Sequence, residues 1–398
     1  MLYIFNPEHD LAIGDFKPNY TPPASIMKMR ADLSVLPIWY SEGGKVVVED
    51  DANLRFLDNI KKLLPINSEL VVVDDIAIYA DEKVVPWGWN PQIRKRLISS
   101  GLKEELLPTI SELNELRSYS NRVNAVEVLK ELIIEDAGLC GESHYFTELV
   151  DLLLFLKHTE GNKVLKMPVS GSGRGLVWVL GDITDKQTDW CKRVMKKQGG
   201  VVAEPVIDKV LDFALEFNLS SGRAEFIGYS LFKTTSSGAY SGNYILSDMA
   251  IEKYLSAFIS IEKLHKVRDS LMNKLSGRFE NYNGPIGVDM MVCSVDSKFN
   301  AYRLHPCVEI NMRMNMGLVS HIFRSRYVAV ESEGYYLVEY FKDDGGALAF
   351  HEKMQRERPL KIIDGKIISG YLALTPVTSY THYIAFAVVD ENPFVVSY

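Results

Sequence analysis

The order of apolar and polar residues in the first part of the chain predicts strands and helices in turn. Apolar residues recur at helical spacing over 53–64, and a helix start at Asn90-Pro91 is followed by a stop at Gly101. This alternation indicates an α/β lobe over residues 1–110 with parallel pairing of its strands. The predicted strands of the lobe are LYIF (2–5), LPIWY (36–40), KVVVE (45–49) and ELVVVDD (69–75).

Helical patterns follow, and strands dominate from residue 163 onward. The segment 111–133 predicts a helix that breaks near Ser118–Asn121. In the run LDFALEFNLS (211–220), apolar residues at alternate positions are separated by polar or small ones, which is typical of a half-buried strand. The runs 284–295 and 301–311 predict a hairpin. Further β character follows residue 332.

Composition and charge exclude several classes of protein. The 398 residues carry a formal net charge of −8, so broad electrostatic capture of nucleic acid or of an acidic membrane is not expected. The four cysteines are scattered without a C-x-x-C pair, which fits a reducing compartment and provides no zinc site. The N-terminus lacks the features of a signal peptide, and no apolar run reaches the ~18 residues that a membrane span needs. We therefore expect a cytoplasmic protein of two or three domains, or of one domain with large lobes.

The stretch KVLKMPVSGSGRGLVWV (163–179) places Lys166 before three glycines, with an apolar strand on either side. A Walker loop and a dinucleotide fingerprint both need a helix after the glycines, and LVWV is a poor helix start. The protein-kinase loop is flanked by strands, but its lysine lies on a later strand. What remains is a hairpin whose backbone N–H groups and lysine can approach phosphate. The alternative is a loose surface hairpin with solvated basic side chains, and the glycines alone do not decide between the two.

Acidic residues fall on facing strands of the second predicted hairpin. If the turn centres near Lys298, Asp289 and Glu309 are near cross-strand neighbours, and Asn311 shares their face. Neighbouring carboxylates repel unless a cation lies between them, and this set of oxygens suits Mg²⁺. Arg313, two residues further on, is placed to meet a phosphate or a carboxylate, or to pair with Glu309. The alternative is a solvated polar face with one or two salt bridges.

These segments, in this order, resemble the ATP-grasp superfamily. Its members clamp ATP between two α+β lobes and mostly ligate a carboxylate to an amine or thiol through an acyl-phosphate. The resemblance covers about residues 110–325 and implies an α+β fold class, with a Rossmann-like α/β domain before the ATP-grasp fold. The implied domains are 1–110, which precedes the clamp, 111–330, which forms it with a lobe linker near 204–208, and 331–398, a β-rich extension packed on it.

The resemblance also implies roles for individual residues. Arg122 stands where the family usually has a phosphate-binding lysine, and Glu204 is expected at the adenine amino group. Asp212, with Asp208 as second candidate, is expected at the ribose hydroxyls. The implied catalytic residues are Lys166 and Arg313, and the implied Mg²⁺ ligands are Asp289, Glu309 and Asn311. The implied nucleotide-binding residues are Arg122, Lys166, Ser170, Gly171, Ser172, Gly173, Arg174, Gly175, Glu204, Pro205, Ile207, Asp212 and Lys233.

The implied function is an ATP- and Mg²⁺-dependent ligase, with a carbon–nitrogen bond as the favoured product. Its substrates are expected to be small-molecule or peptide carboxylates and amines. Two alternatives stay open: a nucleotide-binding protein of this fold without ligase activity, and a phosphotransferase. Arg122 in place of lysine, and Gly287 in a region where several members carry an arginine, keep the first alternative open. The sequence indicates neither the particular substrates nor an oligomeric state.

Four polar residues outside these motifs each have two interpretations. Glu8, His9 and Asp10, in FNPEHD after the first strand, either contact ATP or substrate or cap a helix, and we favour the cap. His305 shares a strand face with Glu309, so it either edges the site or is hydrogen-bonded scaffold.

Overall fold

The chain begins with a four-stranded parallel sheet in the strand order β3-β2-β1-β4. This computed structural model describes residues 1–171, 175–234, 240–296 and 301–391. Asn90 caps the last helix of the unit with its side-chain oxygen, as its position before Pro91 predicts. The elements are β1 (Leu2–Ile4), α1 (His9–Asp15), α2 (Ala24–Asp32), β2 (Lys45–Val48), α3 (Ala52–Lys61), β3 (Glu69–Val72), β4 (Val84–Pro86) and α4 (Pro91–Ser99), with 3₁₀ helices at Leu36–Trp39, Val73–Tyr79 and Glu104–Leu106.

The prediction of a strand at LPIWY (36–40) is wrong, because Leu36–Trp39 forms a 3₁₀ helix. Pro37 has no N–H to donate to a strand ladder. Trp39 is fully buried, and its indole Nε1 donates to the carbonyl of Leu374 at 2.7 Å. This aromatic run therefore fixes the N-terminal sheet to the C-terminal part of the chain.

A small antiparallel sheet, with the strand order β5-β8-β6-β7, carries the lysine strand. The helix expected over 111–133 does break at the predicted place, between α5 and α6. The helices and strands from residue 110 to the end of this small sheet are α5 (Ile110–Tyr119), α6 (Val123–Glu135), β5 (His144–Phe146), α7 (Leu149–His158), β6 (Lys163–Lys166), β7 (Leu176–Val179), α8 (Asp185–Gln198) and β8 (Val201–Pro205).

A nine-stranded sheet forms the rest of the chain, in the order β13-β12-β9-β10-β11-β14-β17-β16-β15. The strand predicted from LDFALEFNLS is β9, and its apolar side chains from Phe213 to Leu219 are fully buried against α6, α10 and β12. Its elements up to residue 327 are β9 (Lys209–Ser220), β10 (Arg223–Thr234), β11 (Tyr240–Ile245), α9 (Asp248–Leu255), α10 (Ile261–Arg278), β12 (Gly284–Asp296), β13 (Ala301–Asn311) and α11 (Met316–Tyr327).

The strands after residue 332 belong to the same sheet, because β14 pairs with β11. Asp364 and Gly365 both have positive φ in the tight turn between β15 and β16, as this dipeptide predicts. Within the described ranges, none of the helices combines the length and apolar character that a membrane crossing requires. The elements are β14 (Glu333–Tyr340), α12 (Gly346–Glu357), β15 (Lys361–Ile363), β16 (Lys366–Ala373) and β17 (Tyr383–Asp390).

Candidate active site

Two adjoining cavities open beside the β12–β13 hairpin. One encloses about 220 Å³ and contains Lys166, and we call it the lysine cavity. The other encloses about 400 Å³ and contains Arg313, and we call it the arginine cavity. Asp289 and Glu309 line both cavities, so the acidic pair stands at their boundary. Of the residues predicted from the sequence, the lysine cavity also contains Arg122, Glu204, Pro205, Ile207 and Asp212, and the arginine cavity also contains Gly171 and Asn311.

The acidic pair has the cross-strand register that the sequence predicts. Asp289 lies directly opposite Glu309, and Asn311 lies opposite Gly287 on the same two strands. Burial, reinforced by the neighbouring carboxylates of Glu309 and Glu216, raises the pKa of Asp289 well above its ordinary value. A cation at this position would relieve the repulsion.

The residues present fit a magnesium ion that has other ligands as well. Across the described part of the chain, no group of three or more His, Cys, Asp and Glu side chains is arranged to hold a metal. Two carboxylates, Asp289 and Glu309, and the amide oxygen of Asn311 form a smaller, all-oxygen set. Mg²⁺ keeps several waters and is commonly bound by one or two carboxylates plus phosphate oxygens, so this set suffices only together with a phosphate-bearing ligand.

Lys166 and Glu204 form an ion pair inside the lysine cavity. The pair arises because β6 and β8 are neighbours in the small sheet, and the Nζ–Oε2 distance is 2.6 Å. Their side chains are only 9% and 10% exposed, so the pair is screened little by water. Ser143 donates its hydroxyl to the other carboxylate oxygen of Glu204 at 2.9 Å. Lys166, expected at phosphate and at the adenine edge, is thus adjacent to Glu204, expected at the adenine amino group.

Arg122 joins the glycine loop to the acidic pair. Its guanidinium donates to the carbonyl of Met167 at 2.6 Å and to the hydroxyl of Ser170 at 2.8 Å. The other terminal nitrogen donates to Glu309 at 2.7 Å. The side chain is 7% exposed, so these contacts hold it rigidly. A lysine could not make this set of directed bonds, because only a guanidinium presents a planar fork of donors.

The glycine loop borders the arginine cavity at its start. Gly171 lines the arginine cavity, and a Cβ atom there would collide with the carboxylate of Asp10. Gly175 has a φ of 75°, which favours glycine. The predicted loop residues Ser172, Gly173 and Arg174 lie outside the described residues.

The chain after Glu204 forms one wall of the lysine cavity, through Pro205 and Ile207. Asp212 lines the same cavity, where it accepts hydrogen bonds from Lys209 at 2.5 Å and from the hydroxyl of Thr234 at 2.7 Å. Asp208, the second candidate for the ribose, is exposed and lines neither cavity.

Lys233 lines neither cavity, so its position does not favour the expected phosphate contact. Its neighbours Phe232 and Thr234 line both cavities, so alternation along β10 directs Lys233 to the opposite face. There its ammonium lies 5.0 Å from the ring centre of Tyr244 and 5.5 Å from that of Tyr335. It is a cation–π partner of the β11–β14 pair.

Arg313 is held by an ion pair with two parallel hydrogen bonds to Asp10. Its Nε and Nη2 donate to the two carboxylate oxygens at 2.6 and 2.7 Å. Burial acts to raise the pKa of Asp10, but the guanidinium of Arg313 outweighs it and holds that pKa below its ordinary value. Asp10 caps no helix, so for this residue the favoured interpretation is wrong.

Glu8 and His9, which precede Asp10 in FNPEHD, are buried and lie outside both cavities. Glu8 accepts from Arg30 at 3.1 Å, and it makes no side-chain cap bond although it occupies the N-cap position of α1. His9 packs under Gly88, where an added Cβ would collide with the imidazole. Burial lowers the pKa of His9 to about 4.

No protein-family model matches the chain, and no curated protein matches its sequence. Solved structures do. It is similar to biotin carboxylase from Campylobacter jejuni in a β-γ-ATP complex, with a TM-score of 0.54 and 10% identity over 98% of this chain and 88% of that one. N5-carboxyaminoimidazole synthetase from Staphylococcus aureus (TM-score 0.49, 12% identity, 98% and 93% covered) and L-amino acid ligase from Bacillus licheniformis (0.44, 13%, 87% and 93%) are also similar.

The chain has the ATP-grasp fold. The α+β class with a parallel N-terminal lobe, expected from the sequence, is therefore confirmed. In ATP-grasp terms, the lysine cavity lies between the small sheet and the nine-stranded sheet, because Lys166 and Glu204 come from the first and Asp212 and Asp289 from the second.

Glu216, which sequence reasoning missed, lines the arginine cavity. It occupies a polar position in the alternation of β9, yet the residue is only 1% exposed. Asn315 donates to its Oε2 at 2.8 Å. Burial, opposed by that hydrogen bond, raises the pKa of Glu216 to about 7. The signal in the sequence was a glutamate at one of the polar positions of β9, between Leu215 and Phe217.

His305 edges the lysine cavity, and within the described residues its buried Nδ1 has no hydrogen-bond partner, so the structure does not support the interpretation as hydrogen-bonded scaffold. The ring is buried against Gly141, where an added Cβ would leave no room for the imidazole. Burial lowers its pKa to about 4, so the imidazole is neutral at pH 7.

Proposed function

We propose that this protein is an ATP- and Mg²⁺-dependent ligase that joins a carboxylate to an amine or thiol. One observation carries the proposal: the cavity that contains Lys166 and a second, larger cavity meet at the acidic pair Asp289 and Glu309. A triphosphate that enters from the lysine cavity would present its terminal phosphate to the arginine cavity. The structurally similar biotin carboxylase is described as a β-γ-ATP complex, which supports a nucleotide on this fold.

The lysine cavity supplies the groups that a nucleotide needs. Glu204 would accept from the adenine amino group, with Pro205 and Ile207 along the base. Asp212 would bind the ribose hydroxyls. Lys166, next to Glu204, can donate to a base nitrogen or to a phosphate, and Arg122 donates from the boundary between the cavities. The backbone of the loop beginning at Ser170 would add N–H donors.

Asp289, Glu309 and Asn311 would hold Mg²⁺ together with phosphate oxygens. The ion would neutralise charge on the transferred phosphoryl group. Arg122 keeps one carboxylate oxygen of Glu309 engaged at 2.7 Å, so it orients the carboxylate that faces Asp289.

The arginine cavity would hold the two substrates to be joined. A substrate carboxylate oxygen would attack the γ-phosphorus as the bond to ADP breaks, which gives an acyl-phosphate. The amine or thiol would then attack the acyl carbon, the bond to phosphate would break, and the proton of the nucleophile would leave with the phosphate. Arg313 would stabilise charge on the phosphoryl or carboxylate oxygens through its N–H groups that Asp10 leaves free. Positioning suffices for this chemistry, without a protein nucleophile.

The test is a search for condensation products. The purified chain is incubated with ATP, Mg²⁺ and crossed pools of carboxylic acids, amines and thiols, and ADP and products are measured by mass spectrometry. We expect one ADP for each molecule of product. The mass of the product should equal the summed masses of the acid and of the amine or thiol, less one water. ADP without product would favour hydrolysis only, a phosphorylated acid formed without an amine or thiol would favour a phosphotransferase, and no ADP from any pool would contradict the ligase.

A further inference from the structure

The arginine cavity has a polar end that the nucleotide and the metal leave unused. Asn243 donates to Ser230 Oγ at 2.7 Å and accepts from the hydroxyl of Tyr240. Gly317 lies beneath Ser230 and Glu216, because a Cβ on this glycine would collide with Ser230 Oγ and with Glu216 Oε1. A carboxylate and a hydroxyl therefore converge on one point of the cavity wall.

Glu216 is the charged group of this polar end. The residue is 1% exposed, and Asn315, the N-cap of α11, donates to its Oε2 at 2.8 Å. No other group in the described ranges donates a hydrogen bond to Glu216, so Oε1 has no donor there. Oε1 is not fully enclosed by protein and Glu216 lines the cavity, so a donor group on a ligand can reach this oxygen.

The charges on the cavity wall favour a cationic ligand. Four carboxylates line the cavity in the described part of the chain, those of Asp10, Glu216, Asp289 and Glu309, against one cationic side chain, Arg313. Asp10 already neutralises Arg313, and Asp289 and Glu309 face the expected metal. The negative charge of Glu216 is the one left without a counter-ion.

The remainder of the cavity is apolar. Residues of the N-terminal unit and of β14 and β17 supply this part of the wall, so parts of the chain far apart in sequence enclose one ligand. A long hydrophilic ligand would lose its hydration here without replacement. The apolar and aromatic wall residues include Ile26, Met29, Trp87, Val338, Tyr340 and Tyr383.

We propose that the acceptor substrate is a primary amine with an apolar body, and that Glu216 binds its ammonium group. The proposal rests on the proposed ligase function. On β9, Glu216 pairs with Gly287, and Ala214 pairs with Asp289 two residues along the strand. Two residues correspond to about 7 Å, so an amine at Glu216 lies within reach of an acyl group at the acidic pair. The raised pKa of Glu216 agrees with a carboxylate that lacks its counter-ion.

The experiment is calorimetric titration of the full chain with three probes of similar shape and different charge. The probes are 2-phenylethylamine, 2-phenylethanol and 3-phenylpropionate, each added to protein saturated with Mg²⁺ and the non-hydrolysable analogue AMP-PNP. When Mg²⁺ and AMP-PNP are bound, Asp289 and Glu309 would be engaged by the metal. Glu216 is then the carboxylate that remains to bind the amine. We expect the amine to bind at least about tenfold more tightly than either other probe.

Two variants complete the test. Glu216→Gln keeps the size of the side chain and should weaken amine binding about tenfold or more, with unchanged affinity for AMP-PNP. Glu225→Gln, at an exposed glutamate on the adjacent strand β10, is the matched control and should change neither.

Several outcomes would overturn the proposal: equal or tighter binding of the alcohol or the carboxylate, no amine binding up to about 10 mM, or an unchanged amine affinity in Glu216→Gln. The comparison of the three probes on the unmodified chain tests the preference for an amine even where a variant fails to fold. Failure of the ligase function itself is separate, because it appears as the absence of a condensation product from ATP and the substrate pools, whatever the affinity for the amine.

Discussion

Asp10 and Arg313 are 303 positions apart in the chain and form an ion pair with two hydrogen bonds of 2.6 and 2.7 Å. The aspartate comes from the first helix of the N-terminal unit, and the arginine follows the strand that carries Glu309. Asp10 also lies against Gly171 at the start of the glycine loop. The N-terminal unit therefore orients a cationic side chain on the wall of the arginine cavity.

We predict that Asp10→Asn lowers ATP-dependent turnover about 10- to 100-fold and changes ATP affinity by less than about threefold. The neutral amide keeps the shape but loses the charge that fixes the guanidinium, and misplacement of a group that stabilises charge costs roughly this much. Steady-state kinetics and equilibrium ATP binding are compared for the variant and the unmodified chain. Asp15→Asn on the same helix is the control, because Asp15 pairs with Lys17 and Lys197 outside both cavities. Equal losses in the two variants would indicate damage to the helix instead.

Glu309→Gln should remove Mg²⁺-dependent turnover by at least about 100-fold. A neutral amide is a poorer ligand for a hard cation, and Arg122 loses its charged partner. Turnover is measured across a Mg²⁺ titration, beside the exposed Glu331→Gln as control. Retention of more than about half of the turnover at any Mg²⁺ concentration would argue against the metal site.

Lys166→Met and Lys233→Met should separate the two lysines that the sequence placed at the phosphates. Lys166→Met should weaken ATP binding about 10- to 100-fold, since it removes a buried cation from the lysine cavity. Lys233→Met should leave ATP affinity unchanged and lower stability by about 0.5–1 kcal/mol through loss of the cation–π contacts. ATP titrations and urea denaturation check both. Weaker ATP binding in Lys233→Met would restore its predicted role.

His9 should make the protein less stable as the pH falls from 7 to 5. Its pKa is about 4 in the folded chain and about 6.5 when unfolded, so the unfolded state binds the proton first. The histidine's contribution is complete above pH 6.5 and declines as pH falls toward 4, by about 2 kcal/mol at pH 5. Urea midpoints at pH 7 and 5 measure the decline, which should be smaller in His9→Gln. An identical decline in both proteins would contradict the buried neutral histidine.

Local patterns predicted most of the fold. The break before α6, the capped start of α4 and the tight turn at Asp364-Gly365 each depend on a few adjacent residues, and each was correct. The 3₁₀ helix at Leu36–Trp39 was not, because its apolar run resembles a strand. Pro37 was a local sign against a strand, whereas the packing of Trp39 against Phe323 and Tyr327 is a contact that no local pattern encodes.

The candidate site was predicted where its geometry follows from pairing of strands. Symmetry about one turn was enough to place Asp289 opposite Glu309. The bond between Asp10 and Arg313 was beyond such reasoning, because it depends on how the N-terminal unit packs. Glu216 was missed for a related reason: alternation gives the face of a strand, but the cover over that face comes from Asn315 and α11. The position of Lys233 away from the cavities follows from alternation along β10, since Phe232 and Thr234 occupy the cavity face.

The most direct measurement is a crystal structure of the full chain with Mg²⁺ and AMP-PNP. We predict adenine between Glu204 and Ile207, Mg²⁺ between Asp289 and Glu309, and the γ-phosphate at the entrance to the arginine cavity. A nucleotide bound outside the lysine cavity, or a nucleotide there with no metal at the acidic pair, would contradict the proposed ligase site.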